Sequence, residues 1–392
     1  MDQTRRIFCV ALIALGASFS SQATSAIACD HTYVREGRNA ITLLPTGLDD
    51  TANIQCALDQ AVARHRWTAI QFVAGTYKTA QIVATNFVGS LSGAGSNRTV
   101  VQNLPNLEVT ATDFVTQAPS LLVKWPTLFA FNGGNIGVYD LAIRVVGAAP
   151  TTGWSFFGEQ FKELVAGILI LGARAHVSVD HVRVEGEQSN GPFSYNVING
   201  IFPEGAFGGN PSLQSGSFTV TRSTFRRVNS PAPFALTDHF LAIYSHNTYE
   251  DTFFGLEALD FRNTKLLFSN NRVDATIGVD VYDYGELPFG VESSDLLFFH
   301  NTFVGDNGIA LEATFGPDVH CALLGNDVSA VSGVGIYLGP GTYGCHVAGS
   351  GKNANIVDLG EHNQILGTQP ASIDGRAQAQ GILGALRRNR IR

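Results

Sequence analysis

Five acids between residues 257 and 312 are spaced so that acid–base chemistry becomes a question: Glu257, Asp260, Asp280, Asp283 and Glu312. The run 277–285, I-G-V-D-V-Y-D-Y-G, alternates apolar and polar side chains and then adds Asp283 three residues after Asp280. Side chains alternate across a strand, so if Ile277, Val279 and Val281 point inward, then Gly278, Asp280 and Tyr282 point outward, with Asp283 at the following corner. The same register sets Glu257 outward with Asp260 at its corner, then Ala310 and Glu312 outward, then Tyr337.

If these segments are neighbouring strands, they lie about 4.8 Å apart and same-face residues along each strand lie about 6.6 Å apart. Glu257 then stacks on Asp280, Asp260 falls near Asp283, and Asp280 and Glu312 are diagonal neighbours at roughly 8 Å. Crowded carboxylates raise one another's pKa, which is how a general acid stays protonated near neutrality. Inverting glycoside hydrolysis needs acid and base about 6.5–9.5 Å apart, and this diagonal falls in that range. Asp280 and Glu312 are therefore the expected catalytic pair, with Glu257 and Asp283 in support. Tyr282 and Tyr337 offer flat apolar faces to a sugar ring, and Trp154 in G-W-S-F-F-G (153–158) does the same if it lies on a loop. A second chemistry uses the same acids to hold Ca²⁺, which takes about six to eight oxygens. Asp260 and Asp283 would then be ligands, the ion would bind a uronate carboxylate, and Arg262 or Lys265, the basic residues expected at the substrate, would remove its C5 proton. The plain alternative is a solvated acidic face with no cofactor and no catalysis, which binds glycans or nothing.

What would position these residues is a repeat. The segments 176–184, 217–225, 241–249, 266–273, 296–303 and 322–328 each run a short apolar strand into a polar corner. Matched corner residues are Ser223, Asn247, Asn271, Asn301, Asn326 and Ser350, spaced by 24, 24, 30, 25 and 24 residues. His181 and Asp140 extend the row upstream at 42 and 41 residues, as if two turns carried inserted loops. Between corners lies a second strand marked by glycine, as in F-G-L-E-A-L (254–259), I-G-V-D-V-Y (277–282) and N-G-I-A-L-E (307–312). A unit this short cannot bury its own apolar face, so copies must stack. Strands at this period with no helix between them read as an all-β parallel β-helix, with amides stacking along the corner row. Upstream, residues 48–65 read as a helix capped by Thr51, with Ile54, Ala57, Leu58, Ala61 and Val62 on its apolar face. That helix is expected to plug the open end of the coil.

The opening L-D-D-T-A-N-I-Q-C-A-L-D-Q-A, then I-Q-F-V-A-G-T-Y-K-T (70–79) and S-L-S-G-A-G-S-N-R-T-V-V (90–101), resembles the pectate-lyase-like superfamily. The resemblance covers 46–101 as cap and first rungs and extends to the rung pattern at 128–357, with 358–392 as C-terminal cap or tail. It implies a right-handed parallel β-helix. Polysaccharide hydrolases, lyases, epimerases, transferases and non-catalytic adhesins share that fold, so it does not imply one reaction. Ala74 stands where the superfamily usually has Pro. The chain has N-T-K at 263–265 where polygalacturonases have N-T-D, and it lacks their G-H-G and R-I-K and the D-P-H-E of mannuronan epimerases. L-T-D-H (236–239) resembles the W-I-D-H of pectate lyases without its Trp. No catalytic residue carries over from these families.

Composition bounds the setting. Residues 1–28 have secretory signal layout: Arg5 and Arg6, an apolar run, then small residues up to Ala28. Export to the periplasm or medium follows, with 29–392 as a single domain and no segment suited to a membrane span. Cys29 then becomes the first mature residue, although Ala26 departs from the Leu-type residue of lipidation signals. The remaining cysteines, Cys29, Cys56, Cys321 and Cys345, allow three pairings or four buried thiols. The pairs close in sequence are Cys29 with Cys56 and Cys321 with Cys345. A net charge of −8 argues against nucleic acid as a partner. The expected function is that of an exported carbohydrate-active enzyme acting on a polysaccharide or oligosaccharide, a glycoside hydrolase. A Ca²⁺-assisted lyase and a non-catalytic glycan-binding protein are the alternatives.

Overall fold

The structure, a computed structural model, describes residues 29–104, 126–147, 155–156, 159–160, 163–191, 193–205, 214–282, 293–312, 318–349 and 355–366. These residues are nearly all β with one helix, Thr51–Ala63. After the antiparallel pair Val34–Glu36 and Ala40–Leu43, the strand pairings of the long sheet are parallel. Each joins segments one repeat apart. Thr248–Arg262 pairs with Arg272–Tyr282, which pairs with Thr302–Glu312. A second face stacks Lys265–Ser269, Asp295–Phe299, His320–Leu324 and His346–Ala348. One continuous buried core runs between the faces, from Cys29 to Val347. Inside it, aromatic rings from different faces meet, with Phe268 in contact with Tyr244, Tyr249, Phe298 and Phe303.

The corner row is a buried amide ladder. Backbone N–H groups of Ser223, Asn247, Asn271 and Asn301 donate to the side-chain oxygen of the next turn's Asn at 2.9, 2.9, 2.9 and 3.1 Å. The amide nitrogens of Asn247, Asn271, Asn301 and Asn326 donate back to the carbonyls of Val220, Tyr244, Phe268 and Phe298. Each side chain thus satisfies a donor and an acceptor that the turn removes from the strand ladder. The upstream row differs from expectation by one residue. Asp140 and His181 have φ of 54° and 55° and match Arg222, His246 and His300 at 48°, 58° and 53°, the residues just before the ladder. Asn, Asp and His are the non-glycine residues that best tolerate this left-handed backbone, so sequence alone confuses the two slots. The ladder position itself is Val182, whose N–H donates to Ser223 Oγ at 3.1 Å. Ser350 lies outside the described residues.

The helix lies across the N-terminal end of the core and buries Ile54, Ala57, Leu58 and Ala61, while Val62 is half-buried. Its N-cap is Asp50 rather than Thr51, and neither residue makes a side-chain cap hydrogen bond. Both side chains tie the helix to the coil instead. Asp50 accepts from the N–H of Thr46 at 2.7 Å and Lys78 at 3.0 Å, and Thr51 Oγ1 accepts from Ala80 N–H at 2.8 Å. A disulfide joins Cys29 to Cys56 on this helix. The expected second bridge is not formed: Cys321 and Cys345 are neighbouring buried thiols, the alternative the sequence left open. Among the described residues, no helix is long and apolar enough to cross a membrane.

Replacing Asn301 with Ala removes the acceptor for Asn271 N–H and the donor to the Phe268 carbonyl in a site about 1% exposed. The expected loss is about 3 kcal/mol, read as a lower midpoint in urea unfolding with secondary structure retained before the transition.

Candidate functional site

The acids lie on the face formed by the C-terminal halves of Thr248–Arg262, Arg272–Tyr282 and Thr302–Glu312. In register, Glu257 stacks on Asp280, Asp280 on Ala310 and Ala310 on Tyr337. Beside that column, Leu259 stacks on Tyr282 and Tyr282 on Glu312. Glu257, Asp280, Tyr282, Glu312 and Tyr337 therefore occupy one outer face, while Val279, Val281, Ile309 and Leu311 between them fill the core. Asp280 and Glu312 are diagonal neighbours, roughly 8 Å apart at the backbone by strand geometry. Ala310, the small residue between Asp280 and Tyr337, leaves a depression of about 380 Å³ whose walls include Asp280, Tyr282, Glu312 and Tyr337.

Strict alternation misplaces one side of this depression. Ile277 was expected to face the core, yet it lines the cleft beside Asn307 and Val334. Gly278 is the inward residue. A Cβ there would sit 2.4 Å from the Phe303 ring and 2.6 Å from the Gly308 carbonyl oxygen. Gly255 and Gly308 make equally close approaches to the carbonyls of Gly278 and Gly335. The chain bends at this stacked glycine column, so the residue just before each glycine turns outward. Asn307 precedes Gly308 in N-G-I-A-L-E, and the glycine was the available signal for it.

Electrostatics separates the acids. Burial pushes the Glu257 carboxyl up to about 7; Ser230 pulls the other way and the Asp280 carboxylate adds to the rise. Burial, and then the charge of Glu312, pushes Asp280 up to about 6. Glu312 is exposed at the end of its strand. One face thus presents two carboxyls held partly protonated beside one that water reaches freely.

The remaining candidates scatter. Asp260 is only 3% exposed, at a left-handed corner with φ 43°, and does not join the exposed face. Arg262 donates to Asp238 Oδ2 at 3.1 Å. Lys265 begins a strand of a different face and pairs with Asp295 at 3.6 Å. His239 pairs with the same Asp238 at 2.9 Å. Asp283 and Trp154 lie outside the described residues. Among the described residues, no group of three or more His, Cys, Asp or Glu is placed to hold a metal ion. Upstream on the same outer face, Leu169, Leu171, Phe202 and Ala235 form a separate apolar cluster that is buried although its side chains point away from the core. Phe193 and Ile198 pack against it, so the open part of the face begins near Glu257.

No family model matches the chain, and no curated protein matches it. Among solved structures, the A-module of mannuronan C-5 epimerase AlgE6 from Azotobacter vinelandii is similar at 14% identity and a TM-score of 0.34, over 82% of this chain and 93% of that one. The AlgE4 A-module of the same organism follows at 14% identity and 0.28, over 82% and 95%. The catalytic domain of a GH87 alpha-1,3-glucanase in complex with tetrasaccharides gives 11% and 0.26, over 91% and 69%.

Proposed function

We propose that residues 29–392 form an exported, right-handed parallel β-helix that hydrolyses glycosidic bonds of a polysaccharide on the Glu257–Asp280–Glu312 face. The observation that carries this reading is a carboxyl raised to about 6, Asp280, one diagonal away from the exposed Glu312 on the wall of a cleft. In the proposed reaction Asp280 gives its proton to the glycosidic oxygen as the bond to the anomeric carbon breaks. Glu312 takes a proton from the water that attacks the same carbon from the opposite side. The spacing suits an inverting enzyme, because about 6.5–9.5 Å leaves room for that water. Both carboxyls then exchange protons with solvent. Tyr282 and Tyr337 supply apolar surface against the sugar rings. Glu257, neutral up to about pH 7, keeps a second negative charge away from the proton donor.

Purified mature protein is expected to release reducing ends from its polysaccharide without the ultraviolet absorbance of an unsaturated uronate. Asp280→Asn should lower kcat by about 10³-fold with unchanged circular dichroism. Full activity of that variant, or absorbance in place of hydrolysis, removes the assignment. Since Asp280 acts in its protonated form, kcat/KM should fall about tenfold per pH unit above pH 6.

Stability responds to pH as well. A carboxyl raised by folding contributes stability that is fully present below its unfolded value of 4.5 and is lost as pH rises through about 7. Glu257→Gln should therefore stabilise the fold by about 1–3 kcal/mol at pH 8 and leave it unchanged at pH 4, as measured by thermal unfolding at both values.

A further inference from the structure

We propose that the cleft selects an uncharged polysaccharide and rejects chains of uronate or sulfated sugars; this rests on reading the Asp280–Glu312 face as a sugar site. The walls around Ala310 hold two acids, two tyrosines, Asn307 and the aliphatic Ile277, with no Lys, Arg or His among the described lining residues. Among the described residues, the basic side chains just past the corner of this face pair with acids. Arg262 is held by Asp238, and Lys265 and His320 both sit on Asp295, at 3.6 and 3.1 Å.

An acidic sugar in this depression would bring its carboxylate beside Glu312, with no countercharge among the described lining residues. Two like charges about 5 Å apart near a protein surface oppose binding on the order of a hundredfold. A neutral pyranose meets no such penalty. Its C–H faces suit Tyr282, Tyr337 and Ile277, and its hydroxyls can donate to the carboxylates and bond the Asn307 amide. Glu312, the proposed base, therefore also filters the substrate by charge.

The test is calorimetric binding to the full mature chain carrying Asp280→Asn, which retains Glu312 but is not expected to cleave. Laminarin, dextran, xylan and galactomannan are the neutral probes; alginate and polygalacturonate are the acidic ones, each with and without added calcium. At least one neutral polymer should bind saturably, with both acidic polymers at least a hundredfold weaker at low salt and the gap narrowing as salt screens the repulsion. Ala310→Phe, which fills the depression, should abolish the neutral binding without lowering the melting temperature. Tight binding of either acidic polymer, with or without calcium, overturns the inference, as does failure of every neutral polymer to bind. Neutral binding that survives Ala310→Phe overturns the placement in this cleft. Wild-type protein separates this from the broader reading: neutral binding without cleavage sinks hydrolysis alone, and cleavage of an acidic polymer sinks charge selection alone.

Discussion

Parallel hydrogen bonding of each turn to the next, pinned at one corner by a buried amide ladder, decides where every outer side chain stands. The ladder leaves no freedom of register. A slip by one residue would strand the Asn271 and Asn301 amides in the core and turn Val279 and Val281 out into water. Because that slip is so costly, Glu257, Asp280 and Glu312 are held on one face even though their proximity is unfavourable. The stacked glycines act in the same sense. Gly278 lets the bend pass within contact of Phe303, and the bend aims Ile277 and Asn307 at the cleft.

The acids illustrate how a rigid scaffold tolerates a destabilising arrangement. Burial, more than mutual charge, raises Glu257 and Asp280, and Glu312 adds to the rise at Asp280. A sheet chosen for stability alone would carry Thr or Lys in these positions. Two acids elsewhere on the surface show the contrast. Asp180 is held by Arg222 and kept below the usual carboxylate range, and Asp238 is held down by Asn263 and Arg262. Glu257 and Asp280 are raised instead and stand on the face that holds a depression, and perturbed carboxyls of this kind concentrate at sites that bind or react.

The stacking was legible because each turn must satisfy the same corner, which forces Asn to recur at Asn247, Asn271, Asn301 and Asn326. From that period the pairings of Glu257 with Asp280 and of Tyr282 with Glu312 follow directly. What could not be read were places where local backbone overrides alternation. Ile277 turns outward because the following glycine bends the strand, and Asp260 is buried because its corner adopts φ 43°. Asp140 and His181 belong one slot earlier than their polarity suggests, since a left-handed residue and a ladder residue favour similar side chains. Thr51 was legible as a residue of the helix start but not as a staple to Ala80, which depends on a contact 29 positions away.

The outer face holds Asp280 and Glu257 as raised carboxyls beside an exposed Glu312. Carbon-13 NMR titration of labelled Asp and Glu side chains, assigned by single substitutions, measures this directly. Midpoints of about 6 for Asp280 and about 7 for Glu257 are expected, with the Asp280 midpoint moving down in Glu312→Gln. Midpoints at the ordinary values of 3.8 and 4.5, unmoved by that substitution, would contradict it.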